Sequence, residues 1–406
     1  MSTRIVRTIG VVADDLTGAG DSIAPFAAAG WRVDLQLTAA AIDPLDSASR
    51  VVALTTGARA ALDAEAAART ATAAAALARA RVDRLVLKID STMRGSVAAQ
   101  LRGGLDGWLP GAFAVLCPAY PEHGRTVDAN TVRVDGALLE TSASAADPVT
   151  PVRSSTIASL VPGSVHLQLP ASGERDADGF ARALGALAAD LRGASPVLAV
   201  DATTTADLDF LAVVIGRLDA RAVAVGSAGL TQALARGWAP PVPAARPPVR
   251  GDGGPARILV VVSSLHDVAR GQVAALLREQ AAALTPDRVV VVTAPATPVD
   301  GANAAGIADA MARTVAGYLA RGAFTALVLV GGDGALATLR RLDATSVRVT
   351  GSLADGVPYG TVRGGTAEGL AVVTKSGGFG EPDALIDIVQ ALTTGAPEPH
   401  QKRTTS

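Results

Sequence analysis

The sequence predicts an α/β protein of two domains, each a mainly parallel sheet flanked by helices, and two observations support this. Short β-branched runs alternate with alanine-rich stretches along most of the chain, which is the pattern of repeated βαβ units. The length of 406 residues also exceeds the roughly 250–300 residues over which one core usually grows. We therefore expect two cores, with an active site in the cleft between the two domains.

The predicted strands are the apolar runs of the chain. In the first domain they are IGVVA (9–13), VVALTT (51–56), RLVLKID (84–90), FAVLCP (113–118), PVLAVD (196–201) and AVAVG (222–226). In the second they are ILVVVSS (258–264), VVVVTA (289–294), ALVLVGG (326–332) and AVVTKSGG (371–378). The alanine-rich stretch from Arg59 to Arg81 predicts a crossover helix between the second and third runs.

Proline and glycine mark the predicted domain boundary. The segment from Trp238 to Pro255 reads WAPPVPAARPPVRGDGGP, which is typical of a linker. We predict a first domain at 1–240, a linker at 241–256, a second domain at 257–393 and a disordered tail at 394–406.

Charge and composition exclude several classes of partner. The net charge of −2 gives no global field to attract nucleic acid or an anionic membrane. The positive mean hydropathy of +0.33 comes from alanine, and no apolar run approaches the roughly 20 residues of a spanning helix. Cys117 is the only cysteine, which excludes an intrachain disulfide. We expect a cytoplasmic protein with a small-molecule partner; a homodimer remains open.

The first predicted strand ends in two carboxylates. In ADDLTGAGDS (13–22), Asp14 and Asp15 lie on the strand-to-helix turn, where ligands of open α/β sheets bind. Carboxylates there can accept a hydroxyl proton or hold magnesium. The alternative for either residue is that it caps the helix. Asp21 is a further candidate base.

Two later strand ends add cations. LKIDSTMRGS supplies Lys88, Asp90 and Arg94, of which Lys88 and Arg94 can clamp a carboxylate, unless the turn is salt-bridged within itself. Arg125, which follows Gly124, offers a third cation, whereas His123 is a weaker candidate base.

The second domain presents small residues after its strands, and such loops suit phosphate. Ser263 and Ser264 follow one strand, GGDG (331–334) follows another, and Lys375 to Gly380 follow a third. Backbone N–H groups at helix starts bind anions, and glycine admits them closely, although GGDG also fits a plain tight turn. Neither G-x-x-x-x-G-K-[ST] nor G-x-G-x-x-G is present where those nucleotide-binding folds require it.

Taken together, these segments resemble the four-carbon acid sugar kinase family. The resemblance rests on ADDLTGAGD, LKIDSTMRG, PAYPEHGRT, VDGALLET, VGSAGL, VGGDG and VVTKSGGFGEPDAL, in this order from about residue 9 to about residue 390. It implies an ATP-dependent kinase that phosphorylates the 4-hydroxyl of threonate, erythronate or 3-oxo-tetronate. It also implies that the first domain holds the sugar acid and that the second holds ATP with Mg²⁺.

The resemblance also assigns site residues. It implies catalytic roles for Asp15 and Asp14, and it gives the substrate Lys88, Asp90, Ser91, Arg94, Gly124, Arg125 and Thr126. For ATP it gives Ser264, Gly331, Gly332, Asp333, Gly334 and Gly378. Two positions depart from the family pattern, since Ser263 replaces a usual glycine and Gly334 replaces a usual threonine.

The predicted mechanism is mostly positioning. Lys88, Arg94 and Arg125 are expected to hold the acid, and Asp15, or else Asp14 or Asp21, to orient or deprotonate the hydroxyl. Two other functions stay open from the residues alone: a non-catalytic sensor of sugar acids, and a nicotinamide-dependent oxidoreductase that acts on them.

Overall fold

The computed structural model describes residues 6–38, 42, 50–147, 149–191, 195–238, 240, 256–283, 288–295, 301–322 and 324–394. The predicted linker and tail lie outside these residues, apart from residues 256 and 394. The chain divides into two compact units, the first of residues 1–32 and 39–244 and the second of residues 33–38 and 245–406.

Strands and helices alternate as the sequence predicts. In chain order they are β1 (Thr8–Ala13), α1 (Leu16–Ala28), β2 (Arg32–Gln36), β3 (Arg50–Thr55), α2 (Asp63–Arg79), β4 (Arg84–Lys88), α3 (Val97–Gly107), β5 (Phe113–Cys117), β6 (Arg125–Asp128), β7 (Thr131–Val134), β8 (Ala137–Leu138), α4 (Ile157–Leu160), β9 (Val165–Leu167), α5 (Ala177–Asp190), β10 (Val197–Val200), α6 (Thr205–Arg217), β11 (Ala222–Gly226), α7 (Ala228–Gly237), β12 (Ile258–Val262), α8 (Asp267–Ala283), β13 (Val289–Thr293), α9 (Gly301–Arg321), β14 (Ala326–Val330), α10 (Gly332–Arg341), β15 (Ser346–Ala354), β16 (Val357–Arg363), β17 (Ala371–Lys375) and α11 (Ala384–Thr394).

The first unit is built on a parallel sheet. Its strands run in the order β3-β1-β4-β11-β5-β10-β9, and each neighbouring pair is parallel. β1, β4, β5 and β11 are buried along their whole length, as expected for strands with both faces covered. The hairpin strands β6, β7 and β8 form a separate antiparallel sheet.

Helices α2 and α3 pack closely because α3 carries glycine on the face that meets α2. A Cβ at Gly103 would lie 2.1 Å from the carbonyl oxygen of Ala67, and one at Gly107 would lie 2.3 Å from that of Ala71. A real Cβ does not approach an oxygen this closely, so both positions require glycine. The alanine-rich surface of α2 and the two glycines let the helix backbones meet.

The second unit combines parallel and antiparallel strands. β13, β12, β14 and β17 are parallel in this order, and β16, β15 and β2 continue the sheet antiparallel. Its core gathers the inward side chains of β12, β14 and β17 with those of α8 and α11. This arrangement confirms the α/β class with mainly parallel sheets flanked by helices.

One strand of the second unit comes from early in the chain. β2 pairs antiparallel with β15, with Val33 opposite Val349 and Gln36 opposite Ser346. Asp34, which is 2% exposed, forms an ion pair with Arg348 across this contact. The second unit is therefore not continuous in sequence, and it differs in this respect from the continuous bounds 1–240 and 257–393, which stay a prediction.

Among the described residues, no helix has both the length and the apolar character needed to cross a bilayer.

Candidate functional site

Charged side chains of the first unit converge at the carboxyl ends of three adjacent strands. Asp14 and Asp15 follow β1, Arg59 lies beyond β3, and Lys88 ends β4. Because β3, β1 and β4 are parallel neighbours, the residues that follow them lie at one edge of the sheet. The edge is where the sequence predicted a ligand site.

Arg59 joins the two carboxylates of the first turn. Its Nε and Nη2 donate to the two oxygens of Asp14, each at 2.8 Å. Its Nη1 and Nη2 also donate to the two oxygens of Asp15, each at 3.0 Å. A third carboxylate, Asp90, lies 3.9 Å from Nη2. One planar guanidinium thus fixes the direction of both aspartates.

Asp15 is the N-cap of α1. Its side chain accepts hydrogen bonds from the Gly18 amide at 2.9 Å and from the Thr17 hydroxyl at 2.8 Å. Burial raises the pKa of Asp15, but the charges of Arg59 and Lys88 outweigh burial, so the pKa is lower than usual. The capping role that the sequence left open therefore holds for Asp15, and the charges of Arg59 and Lys88 favour its ionised form.

Asp14 is placed differently. Its side chain is completely buried, whereas 20% of the Asp15 side chain is exposed. Burial raises the pKa of Asp14, with Arg59 opposing the shift and the charge of Asp15 adding to it. Of the two predicted catalytic aspartates, Asp15 is thus the one that a substrate can reach.

Arg94 is held by two carboxylates. Its Nε and Nη2 donate to Asp90 at 2.9 and 2.8 Å, and its Nη1 donates to Asp147 at 2.9 Å. Burial opposes ionisation of Asp90, but the hydrogen bonds from Arg94 and the charge of Arg59 hold its pKa well below the usual range. Thr92 donates its hydroxyl to the same carboxylate. The turn is salt-bridged within itself, so Arg94 keeps only part of its donor capacity for a ligand.

Lys88 is the cation best placed for an incoming anion. It is 6% exposed, and among the described residues it has no ion pair within 4.0 Å. Its ammonium lies 3.0 Å from the position that a Cβ on Gly18 would take, and its charge acts on Asp14 and Asp15. The other two cations of this edge, Arg59 and Arg94, already form ion pairs with carboxylates.

The second predicted substrate segment forms a tight turn. Gly124 has φ +72°, and a Cβ there would lie 1.9 Å from Oδ1 of Asp135. Arg125 donates through Nη1 to the carbonyl of His123, and its Nε is buried without an acceptor among the described residues. Thr126 pairs with Arg133 in the β6–β7 ladder. Among the described residues, no hydrogen bond connects Gly124, Arg125, Thr126 or Ser91 to Arg59 or to the two aspartates that it binds.

Sequence reasoning missed Arg59 and Asp147 as site residues. Arg59 follows β3 in the segment VVALTTGAR, so the rule of reading polar residues after strand ends could have found it. Asp147 follows no strand, and nothing in the sequence around it announces a contact with Arg94, 53 residues earlier.

The predicted nucleotide residues lie at the strand ends of the second unit. Ser264 follows β12, and Gly331 is the N-cap residue of α10 with φ +105°. Among the described residues no side chain caps this helix, so the amides of Gly332, Asp333 and Gly334 in its first turn have no side-chain acceptor there. Helix starts of this kind bind phosphate. The GGDG segment is thus a helix start instead of an isolated turn.

Gly378 lies in a loop that adjoins Ser264. A Cβ at Gly377 would lie 1.8 Å from the Ser264 hydroxyl, and one at Gly378 would lie 3.3 Å from the ring of His266. The loop after β17 and the loop after β12 therefore touch through glycine. Together with the start of α10, they form the group that the sequence assigned to ATP.

A buried lysine and a buried glutamine hold the loop after β17. Lys375, 1% exposed, donates to the carbonyls of Ser376 and Phe379. Nε2 of Gln272, on α8, lies within hydrogen-bonding distance of the carbonyls of Phe379, Gly380 and Glu381, at 3.1, 3.0 and 2.8 Å, and its two N–H groups are shared among them. Burial lowers the pKa of Lys375 to about 8.

Comparison with protein families gives each unit a description. The family model for a sugar-binding N-terminal domain matches residues 9–234, and the model for a nucleotide-binding C-terminal domain matches residues 281–385. The first match covers the carboxylate and cation cluster, and the second covers GGDG and the loop after β17.

Relatives with assigned activities match the chain as well. A D-threonate kinase of Bordetella bronchiseptica is 39% identical over 95% of this chain and 97% of its own length. A D-erythronate kinase of Heliobacterium modesticaldum is 30% identical over 66% of this chain and 59% of its own length. A crystal structure of a Bordetella bronchiseptica protein, described as a domain-swapped dimer with bound citrate, shares 37% identity and covers 96% of this chain and 98% of that one, with a TM-score of 0.53.

The family resemblance that the sequence motifs indicated is thus confirmed by similarity along nearly the whole chain, and the protein belongs to the four-carbon acid sugar kinase family.

Proposed function

We propose that this protein transfers the γ-phosphoryl group of ATP to the 4-hydroxyl of a four-carbon sugar acid, and that D-threonate is the first acid to test. The observation that carries this proposal is the 39% identity to a D-threonate kinase over 95% of the chain. The polar cluster of the sugar-binding unit and the glycine-rich helix start of the nucleotide-binding unit supply the chemistry that the reaction needs.

The acid is proposed to bind at the strand edge of the first unit. Lys88, which has no ion pair within 4.0 Å among the described residues, offers its charge to the substrate carboxylate. Arg94 forms ion pairs with Asp90 and Asp147, and its remaining N–H groups are proposed to donate to hydroxyl groups of the substrate. Gly124, Arg125, Thr126 and Ser91 remain proposed ligands from the family pattern.

Asp15 is proposed to orient the attacking hydroxyl. Its side chain is 20% exposed, so a substrate hydroxyl can approach the carboxylate, while Arg59, Thr17 and Gly18 fix its position. A lowered pKa makes Asp15 a weak base at neutral pH. This suits phosphoryl transfer through a loose transition state, in which positioning matters more than deprotonation. Asp14 supports Arg59 from the buried side.

ATP is proposed to bind with its phosphates at the start of α10. The uncapped amides of Gly332, Asp333 and Gly334 are donors for phosphate oxygens, and Ser264 and Gly378 border them. Mg²⁺ is proposed to arrive with ATP, since it takes most of its ligands from phosphate and water with one or two carboxylates. Asp333, exposed in the first turn of α10, is the carboxylate that fits this role. Bound Mg²⁺ would neutralise phosphate charge.

A panel of acceptors tests the proposal. ADP release from ATP and Mg²⁺ is measured with D- and L-threonate, D- and L-erythronate, the 3-oxo-tetronates and ordinary aldoses. We expect release that depends on one four-carbon acid. Tight binding of ATP and of an acid without turnover would contradict the kinase and favour the sensor, and NAD-dependent oxidation of the acid would favour the oxidoreductase.

The assembly has its own test. The related Bordetella bronchiseptica structure is described as a domain-swapped dimer, and we propose a homodimer for this chain too. Sedimentation of the full chain at about twice the monomer mass is the expected result, and a monomer across the accessible concentrations would contradict it.

A further inference from the structure

Ser263 lies against the first turn of α10. Its hydroxyl donates to the carbonyl of Val330 at 3.1 Å, and its backbone amide donates to the same oxygen at 2.9 Å. These two bonds join the end of β12 to the end of β14, directly before the glycine-rich helix start. The family resemblance assigns Ser264, but not Ser263, to ATP.

The Ser263 side chain occupies space that a side chain at position 334 would need. A Cβ on Gly334 would lie 2.2 Å from Cβ of Ser263 and 2.3 Å from its Oγ. The Cβ of Ser263 is fixed by its backbone, so rotation of the hydroxyl does not relieve this contact. Gly334 is itself buried, so a side chain added there has no solvent-exposed space to enter.

The same hydroxyl also borders the N-cap of α10. A Cβ on Gly331 would lie 2.5 Å from Oγ of Ser263, and the φ of +105° at Gly331 already favours glycine. One serine, directly after β12, therefore packs against both ends of the GGDG segment.

We propose that Ser263 is a positioning residue for the nucleotide phosphates and that Ser263 and Gly334 act as one exclusive pair. Only one of the two positions can carry a side chain, and in this protein that side chain comes from the end of β12. Through it the first turn of α10 is held where its amides can meet phosphate. The inference rests on the proposed binding of ATP at this helix start. It also links the two departures from the family pattern, because the side chain gained at Ser263 takes the space of the side chain lost at Gly334.

Three variants test the pair: Gly334→Thr, Ser263→Gly, and the double change. ATP affinity is measured by calorimetry, together with KM for ATP, KM for the acid and the melting temperature. We expect Gly334→Thr to raise Kd and KM for ATP by about tenfold or more, because overpacking displaces the helix start. The double variant should return both values to within about threefold of wild type, since the serine no longer blocks the threonine.

Two further variants separate positioning from folding. Ser263→Ala keeps the packing but removes the bond to Val330, so KM for ATP should rise while KM for the acid stays unchanged. Gly271→Ala, on α8 with nothing within 4 Å of the added Cβ, is the matched control and should behave as wild type. If Gly334→Thr does not fold, the double variant must still fold, and its failure to do so would overturn the exclusive pair.

The outcomes distinguish this inference from the proposed function. ATP binding without any acid-dependent ADP release would sink the phosphoryl transfer but leave the pair to be judged by calorimetry. Wild-type ATP affinity in Gly334→Thr, or a double variant as weak as the two single changes combined, would overturn the pair even in an active kinase. A wild-type protein that binds no ATP would overturn the positioning role.

Discussion

Arg59 shares one guanidinium between Asp14 and Asp15, and the two aspartates differ in what surrounds them. Asp14 is enclosed, with its pKa raised by burial, whereas Asp15 is partly exposed and caps α1. The difference separates a residue that supports the site from one that can touch a substrate. These neighbouring residues of one type differ because the side chain of Asp14 is enclosed, whereas that of Asp15 is partly exposed at the start of α1.

Asn at each position tests this division of roles. Asp15→Asn should lower kcat by about 10²–10⁴-fold, because the amide no longer holds the attacking hydroxyl as the carboxylate does, with KM for ATP unchanged. Asparagine also caps helices, so its melting temperature should fall little. Asp14→Asn should instead cost mainly stability, by about 1–3 kcal/mol, because the asparagine amide offers Arg59 one acceptor oxygen where the carboxylate offers two. Steady-state kinetics and thermal unfolding are compared, and near-normal turnover of Asp15→Asn would remove Asp15 from the mechanism.

Lys375 predicts a dependence of stability on pH. Burial lowers its pKa to about 8 in the folded protein, below the usual lysine value of 10.5. Between these two values the unfolded chain binds the proton and the folded protein does not, so this group makes stability rise with pH from about 8 to about 10.5.

Lys375→Met isolates this contribution. Denaturant unfolding of wild type and variant at pH 7.5 and pH 9.5 should show wild type gaining stability relative to the variant at the higher pH. Lys88→Met serves as a second lysine variant whose pH response shows whether the effect belongs to Lys375. A stability difference that is constant, or that moves the other way, would show that the ammonium is not desolvated.

At the scale of elements, the packing of α2 on α3 depends on backbone contact. Gly103 and Gly107 allow the helices to meet at Ala67 and Ala71, where an added Cβ would lie within 2.3 Å of a carbonyl oxygen. The alanine content of α2 predicted that this segment is a helix. It did not predict the close contact with α3, which depends on Gly103 and Gly107 of α3.

Gly103→Ala should therefore destabilise the protein although alanine favours helices. We expect a loss of about 1–3 kcal/mol from overpacking. Gly185→Ala, inside α5 with its nearest neighbour 3.9 Å from the added Cβ, is the control and should gain up to about 1 kcal/mol from helix propensity. The free energy of unfolding of both variants is measured with denaturant. Equal changes for Gly103→Ala and Gly185→Ala would contradict the close packing of α2 and α3.

The hairpin of β15 and β16 is an element that sequence reasoning overlooked. The two strands are joined by Asp355 and Gly356, and Gly356 has φ +70°. Asp-Gly between two alternating strands is a strong hairpin signal. The expected βαβ alternation drew attention to the parallel strands, so this antiparallel part was missed although the local signal was present.

At the scale of the whole molecule, the second unit depends on a strand from early in the chain. β2 covers the edge of β15, and buried Asp34 pairs with Arg348 there. Without β2 that edge presents unpaired backbone groups, and Arg348 loses its carboxylate. No local signal connects residues 33–38 to residues 346–349, because they are joined only by the folded sheet.

Residues 256–394 produced alone should accordingly be aggregation-prone and melt at least about 10 °C below the same fragment with residues 31–38 appended through a flexible linker. Appending the strand with Asp34→Lys is the control and should not restore stability, since it opposes Arg348. Thermal unfolding and light scattering measure both effects. A fragment that is equally stable with and without the strand would show that β2 is dispensable.

The sequence by itself determined the alternation of strands and helices, the family and the segments that carry charge and glycine, because these depend on local composition and spacing. The tertiary structure decided which of these residues meet: Arg59 with two aspartates, Asp147 with Arg94, Ser263 with Gly334, and β2 with β15. These contacts join residues between 44 and 316 positions apart, and only the packing of whole strands and helices brings such distant residues within hydrogen-bonding or van der Waals distance.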